Sequence, residues 1–336
     1  MKFSFSEDQR LLAGAVREAL AKSCPPETVR AAKTDPAIRR GDAWKALAEL
    51  GLLGAHVPEE HGGLGLTPLD TVLAYEELGR AAVPGPIVET AVVAPLLVGS
   101  EWLERIATGA AAVSVRTDDS PYLLDADLAD LLVVQQGNGI TIAAPGAVEL
   151  TEQPSADPTR KLFSVNVGTA RRDADCPGLD RAFDHAALAT AAQLVGLGRH
   201  LLDAAVAYAE QRKQFGKPIG SFQAVKHQLA DVAIALSFAA PTVRRAAYSL
   251  THDAATASRD VSAAKVAAAA AARRAVRTSL QVHGGIGYTD ELDLHLWFAR
   301  VWSLRTVWGD DRVHRARLSV ALLGETGQAT TAVRLP

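Results

Sequence analysis

Two short stretches of this chain carry residue types that can do chemistry together. Arg212-Lys213-Gln214-Phe215-Gly216-Lys217-Pro218-Ile219 is followed at once by Phe222-Gln223, and further along comes Gln281-Val282-His283-Gly284-Gly285-Ile286-Gly287. Arginine offers a planar fork of donors to phosphate oxygens, glutamine amides read adenine edges and ribose hydroxyls, and glycine lets a backbone approach closely. Set at two helix boundaries, they are the kit for holding a dinucleotide's phosphates and adenine without a P-loop or a Rossmann turn. Each stretch alone has a plainer reading. The basic run suits a helix C-terminus, where cations complement the macrodipole, and the glycine cluster suits a helix stop followed by a turn.

The elements that must position these residues follow from periodicity and punctuation. Residues 6–110 read as helical. Ser6 with Glu7 and Asp8 predicts a cap ahead of a Leu11, Leu12, Val16, Leu20 stripe, and the run from Trp44 to Leu50 stops at Gly51. Val57 to Gly65 is a Pro/Gly loop. Helical pattern returns from Leu69 to Leu78, breaks from Gly79 to Pro86, and resumes through Leu96 and Leu97. From 111 to 185 short apolar runs alternate with Gly, Asn, Asp and Pro turns, which predicts a small antiparallel β domain. Segments 186–211, 222–252, 258–283 and 290–322 carry helix-period apolar positions and abundant Ala, which predicts a C-terminal four-helix bundle over 186–325, with Pro241 kinking or splitting its second helix. The fold class is therefore mainly α with a β insert.

Composition bounds the partners. The 336 residues hold 35 Lys and Arg against 38 Asp and Glu, a net charge of −3, with no basic block. Nucleic acid and anionic membrane are not expected partners. Cys24 and Cys176 stand far apart and lack metal-ligand spacing, so neither a metal site nor a disulfide framework is expected and a reducing cytoplasm is the expected home. The N-terminal residues have no apolar signal region, and no apolar run approaches the ~18 residues of a membrane span.

Taken together with Leu229-Ala230-Asp231, the two motifs resemble the flavin signature of the acyl-CoA dehydrogenases. The resemblance covers nearly the whole chain: Trp44 to Gly65, with Pro58-Glu59-Glu60-His61-Gly62-Gly63, is similar to that family's N-terminal segment. It implies an N-terminal helical domain (1–110), a β middle domain (111–185) and a bundle (186–325) that mediates tetramerisation, with FAD at a subunit boundary. It further implies that Arg212, Gln214, Phe215 and Gln223 approach the pyrophosphate and ribityl side of FAD, and that Gln281, Gly284 and Gly285 approach its adenosine end. In the family these groups reach FAD bound mainly by the neighbouring subunit. An acyl-CoA substrate and electron-transferring flavoprotein as electron acceptor are implied as well.

In that family a buried carboxylate removes the proton alpha to the thioester carbonyl while the beta hydrogen leaves as hydride to the flavin. One seat of this base is the Glu of a Tyr-Glu-Gly-Thr motif, where this chain reads Val307-Trp308-Gly309-Asp310. The other lies late in a bundle helix, where it reads Thr251-His252-Asp253. Neither seat holds a Glu, and the catalytic residue stays unassigned. His252 could act as a base but fits a solvated helix end, and Asp310 with Asp311 fits a helix cap. The loop and strand by which family members grip their own isoalloxazine ring are also missing between 110 and 185.

A chain that keeps the residues used on a neighbour's flavin but loses the base resembles the small subunits of heteromeric actinobacterial acyl-CoA dehydrogenases, several of which act on CoA esters of steroid side chains. The expectation is an α2β2 assembly with a homologous, catalytically complete partner, whose acyl cleft the vacated seat could widen. Two alternatives stay open: a self-sufficient homotetrameric dehydrogenase with His252 or Asp310 as base, and a non-catalytic structural subunit on the same fold.

Overall fold

Ser6 opens the first helix with a capping box: the Gln9 N–H donates to the Ser6 hydroxyl and the Ser6 N–H to the Gln9 side chain. This helix, α1 (Glu7–Ser23), buries Ala13, Val16 and Leu20 and turns Leu11 to solvent. The computed structural model describes residues 4–324 apart from 119, 169–171, 174–175 and 177. Helices α2 (Pro26–Ala31), α3 (Asp42–Glu49), α4 (Pro68–Arg80) and α5 (Ser100–Ala107) complete the N-terminal part. Between α4 and α5 a π-turn, Glu89–Val93, runs into a short 3-10 turn, Ala94–Leu96.

The middle part holds two small sheets. β1 (Val113–Arg116), β3 (Leu131–Gln136), β4 (Gly139–Ala143) and β7 (Arg172–Asp173) form one, in the order β1-β3-β4-β7. β2 (Leu123–Leu124), β6 (Leu162–Asn166) and β5 (Glu149–Gln153) form the other. The ladders are antiparallel except β1–β3, which runs parallel with Val113 opposite Leu131. That departs from the all-antiparallel expectation. The chain leaves β1 for the second sheet at β2 before returning to β3, and such a crossover brings a strand back in the same direction.

The bundle is built from α6 (Leu179–Gln211), α7 (Gln223–Thr251), α8 (Ala257–His283), α9 (Leu294–Leu304) and α10 (Asp311–Leu323). A two-strand hairpin, β8 (Lys213–Gln214) and β9 (Lys217–Pro218), joins α6 to α7. Three expectations are corrected here. α6 begins at Leu179 rather than 186. α7 runs unbroken through Pro241. The stretch expected as one helix over 290–322 is two, parted by a turn at 305–310 where Trp308 and Gly309 take positive φ of 56° and 87°.

Gly79, read as a helix breaker, lies inside α4. A side chain there would sit 2.0 Å from the Gln193 carbonyl oxygen, and one at Gly196 only 1.8 Å from the Glu76 carbonyl oxygen. The two glycines let α4 and α6 cross backbone to backbone. One hydrophobic core runs from α1 through the first sheet into the bundle. Buried ion pairs knit the same three parts. Arg39 is fully buried and pairs with Asp125 and Asp127 of the middle part, and Arg300 of α9 donates to Asp157, Thr159 and the Val83 carbonyl.

Candidate functional site

Arg212 caps the C-terminus of α6, its N–H donating to the Tyr208 carbonyl at 2.9 Å while its own carbonyl accepts from Ile219 at 2.8 Å. The second bond closes the base of the hairpin. Its strands pair Lys213 with Pro218 and Gln214 with Lys217, which leaves Phe215 and Gly216 as the two tip residues, with φ of 53° and 78°. Two successive left-handed residues are the type I′ geometry that matches hairpin twist, and glycine takes its share without strain. Phenylalanine does not. The turn therefore holds Phe215 out at 92 % exposure, braced edge-on against Phe222 at 6.2 Å, with the Lys217 ammonium 4.4 Å over the Phe222 ring.

The second motif arrives from the other side. α8 ends at His283, and Gly284, with φ of 63°, turns the chain into a short 3-10 segment, Gly284–Tyr288. Arg212, Gln214, Phe215, Gln223, Gln281 and Gly285 are exposed and Gly284 is half-exposed. Nothing approaches within 4 Å of a side chain built at Gly284 or Gly285, and among the described residues no carboxylate pairs with Arg212. A small apolar cluster joins the two motifs: Ala205, Ala209 and Val282 are buried, with Tyr208, Ile219, Val225 and Leu229 packed against them. The structure thus brings all seven sequence-derived residues to one end of the bundle. They make an open, solvent-facing ridge.

The base seat is built differently. Trp308 is only 4 % exposed, lies edge-on to Phe183 at 6.4 Å, and its buried indole N–H makes no regular hydrogen bond, its polar neighbour being the Glu89 carboxylate. The turn that carries it is clamped from within. Lys265, fully buried on α8, donates to the carbonyls of Val307 at 2.7 Å and Gly309 at 2.9 Å, and His314 Nε2 donates to the Trp308 carbonyl at 2.8 Å. Burial pushes Lys265 down to about 7, and burial with the nearby Lys265 charge pushes His314 down to about 4. The seat is not vacant, as the sequence suggested. The two cavities bordering Trp308 are each about 20 Å³, room for a water and not for an acyl chain.

Both substitute bases have structural duties. Asp310 caps α10, accepting from the Val313 N–H at 2.9 Å. His252 ends α7 exposed, its ring stacked on Tyr248 and its Nδ1 2.8 Å from the Tyr248 carbonyl. Sequence reasoning missed Glu89, a carboxylate buried beside Trp308 and Arg160. Burial holds it above the ordinary carboxylate range against the pull of the Arg160 charge. An acid inside the apolar stretch from Val88 to Val93 was the available signal.

The fold joins an N-terminal helical part, small sheets and a C-terminal helical bundle, the architecture of the acyl-CoA dehydrogenase fold class. Residues 6–110 match the acyl-CoA dehydrogenase N-terminal domain and residues 179–323 the acyl-CoA dehydrogenase C-terminal domain. The chain is 35 % identical over 319 residues to acyl-CoA dehydrogenase IpdE2 of Mycolicibacterium smegmatis, covering 93 % of this chain and 98 % of that protein. It belongs to the acyl-CoA dehydrogenase family, whose cofactor is FAD. Its backbone is similar to the ChsE4–ChsE5 complex from Mycobacterium tuberculosis, with a TM-score of 0.80 at 24 % identity over 95 % of this chain and 98 % of that one. A variant of the Tcur3481–Tcur3483 steroid ACAD gives 0.84 at 24 % identity, over 93 % and 96 %. At such identities the likeness is one of fold. Among the described residues no group of side chains could hold a metal ion, and no helix is long and apolar enough to cross a membrane.

Proposed function

We propose that this chain is the flavin-edge subunit of a heteromeric acyl-CoA dehydrogenase. It lends Arg212, Gln214, Phe215, Gln223, Gln281, Gly284 and Gly285 to FAD held mainly by a homologous, catalytically complete partner. FAD supplies the hydride acceptor for alpha,beta-dehydrogenation of an acyl-CoA thioester, and electron-transferring flavoprotein is the expected next acceptor. The observation that carries the reading is a contrast within one chain: an outward-facing ridge whose Arg212 pairs with no carboxylate among the described residues, and a base seat plugged by a buried indole. In this assembly the chain's own residues bind and orient the cofactor. Arg212 offers its fork to the pyrophosphate, the glutamine amides take ribityl or adenosine groups, and Phe215 covers an apolar face against water. The partner provides the base.

The names of the ChsE4–ChsE5 complex and of the steroid ACAD support a two-component assembly acting on bulky, steroid-derived CoA esters. The homotetrameric alternative loses ground because His252 and Asp310 are spent on helix ends. The test is isolation of the tagged chain from its native cell with FAD counted per chain. A flavin-containing complex with a longer homologue is expected, and Arg212→Ala should strip its FAD. A yellow, stoichiometrically loaded chain that oxidises acyl-CoA alone would overturn the reading, and unchanged FAD in Arg212→Ala would leave only a scaffold role.

A further inference from the structure

The two halves of the ridge are separated in sequence by two long helices, α7 and α8, so something must fix the distance between the Arg212 hairpin and the Gly284-Gly285 turn. The hairpin leans on a cluster of apolar residues separate from the main core, and that cluster is built largely of alanine methyls and short aliphatic side chains. Aliphatic contacts are non-directional and do not by themselves single out one spacing.

One pair of rings makes up the difference. Tyr208 lies one turn before Arg212 on α6, and its carbonyl takes the Arg212 N–H at 2.9 Å. His283 is the last residue of α8 and immediately precedes Gly284. Their ring centroids are 4.3 Å apart at an interplanar angle of 30°. His283 is buried and its orientation is fixed. Its Nδ1 lies 2.8 Å from the Ser279 carbonyl, which can only accept, so Nδ1 carries the proton and donates. The imidazole is locked to its own helix, with its face on the tyrosine. The backbone at Gly287 passes close by, since a Cβ there would lie 3.2 Å from the His283 Cβ.

We propose that Tyr208 and His283 are positioning residues of the FAD ridge: their stack sets the spacing between the phosphate-binding hairpin and the adenosine-binding glycine turn, and neither ring needs to touch the nucleotide. The proposal rests on the reading of the ridge given above. A dinucleotide spans both halves at once, so its affinity depends on their separation in a way that either half alone would not reveal. An aromatic pair of this kind holds its elements with an energy equivalent to roughly a two- to tenfold change in binding.

The test uses the FAD-containing complex isolated through this chain, stripped of flavin and titrated with FAD, with the assembly's mass and thermal midpoint recorded in parallel. Tyr208→Phe keeps the ring and should bind FAD as the parent does. Tyr208→Leu and His283→Gln remove the stack, the glutamine retaining a donor for the Ser279 carbonyl. Each should weaken FAD binding two- to tenfold in an assembled complex, and the double variant should be no weaker than the worse single one, because both remove the same contact. Parental FAD affinity in His283→Gln, or fully multiplicative losses in the double variant, overturns the proposal. Should Tyr208→Leu fail to assemble, His283→Gln still decides. Arg212→Ala separates the two levels: if it retains FAD, the ridge reading itself falls, whereas loss of FAD there with parental affinity in the stack variants sinks only the positioning role.

Discussion

Phe215 occupies a backbone conformation that a bulky residue pays to hold. Left-handed φ costs a non-glycine residue about 1 kcal/mol or more, and side chains at the first position of such a turn are normally Asn, Asp or Gly. A strained aromatic ring at a solvent-exposed tip, with no cover from its own chain beyond the edge of Phe222, makes sense as a ring aimed at something outside the chain. Phe215→Asn is therefore expected to raise the unfolding free energy of the isolated chain by about 1 kcal/mol, read by urea denaturation, while weakening FAD retention in the complex. Unchanged FAD retention in this variant would deny the ring a recognition role. Trp308 shares the same backbone region but is secured from inside by Lys265 and His314. The ordinary lysine value of 10.5 is lowered to about 7 in the fold, so between those values the unfolded chain holds a proton that the folded chain lacks. Stability from this group is thus lowest below pH 7 and rises with pH through that window, by up to about 1.4 kcal/mol per pH unit. Lys265→Met is expected to flatten that rise in pH-dependent denaturation, besides lowering stability by leaving two carbonyls bare.

At the scale of elements, the crossing of α4 and α6 shows how a distant contact overrides a local signal. Gly196 stands opposite the Glu76 carbonyl with no room for a methyl, so Gly196→Ala must push the helices apart and should cost about 3 kcal/mol, measured as a lowered thermal midpoint. The gain in helix propensity from alanine, about 1 kcal/mol, does not offset it. The same logic explains what the sequence disclosed and what it withheld. Ser6 and Gly51 mark helix ends through bonds and angles within a few residues, so they were legible. Gly79 was misread because its reason lies in the Gln193 backbone, and the break between α9 and α10 was missed because its cause is a lysine on another helix. The ridge residues were legible as motif types at helix boundaries. The Tyr208–His283 contact that joins them was not, since no local pattern announces that two rings will meet across a bundle.

For the whole molecule, three parts share one core and are pinned by buried charges, and the exposed surface is what remains for contacts with other chains. The outer face of α7 is conspicuous in that respect. Ile234 is 54 % exposed, Phe238 75 % and Tyr248 37 %, with Pro241 and Arg245 between them at alternating steps of four and three residues, which is one continuous helix face. Scattered exposed hydrophobics need no explanation, but a row of them on a single helix of the bundle, broken only by Arg245 paired to Asp260, does. The face belongs to the helix that begins at Gln223, so a homologue docked along it would reach the ridge end of the bundle. Phe238→Asp places a charge in the middle of this row and far along α7 from the ridge, so it leaves the ridge residues intact. Size-exclusion of the co-isolated complex should then show dissociation, with FAD leaving this chain and staying with, or lost from, the partner. A complex of unchanged mass and flavin content would exclude this face as the assembly surface and move the search to the outer side of α8.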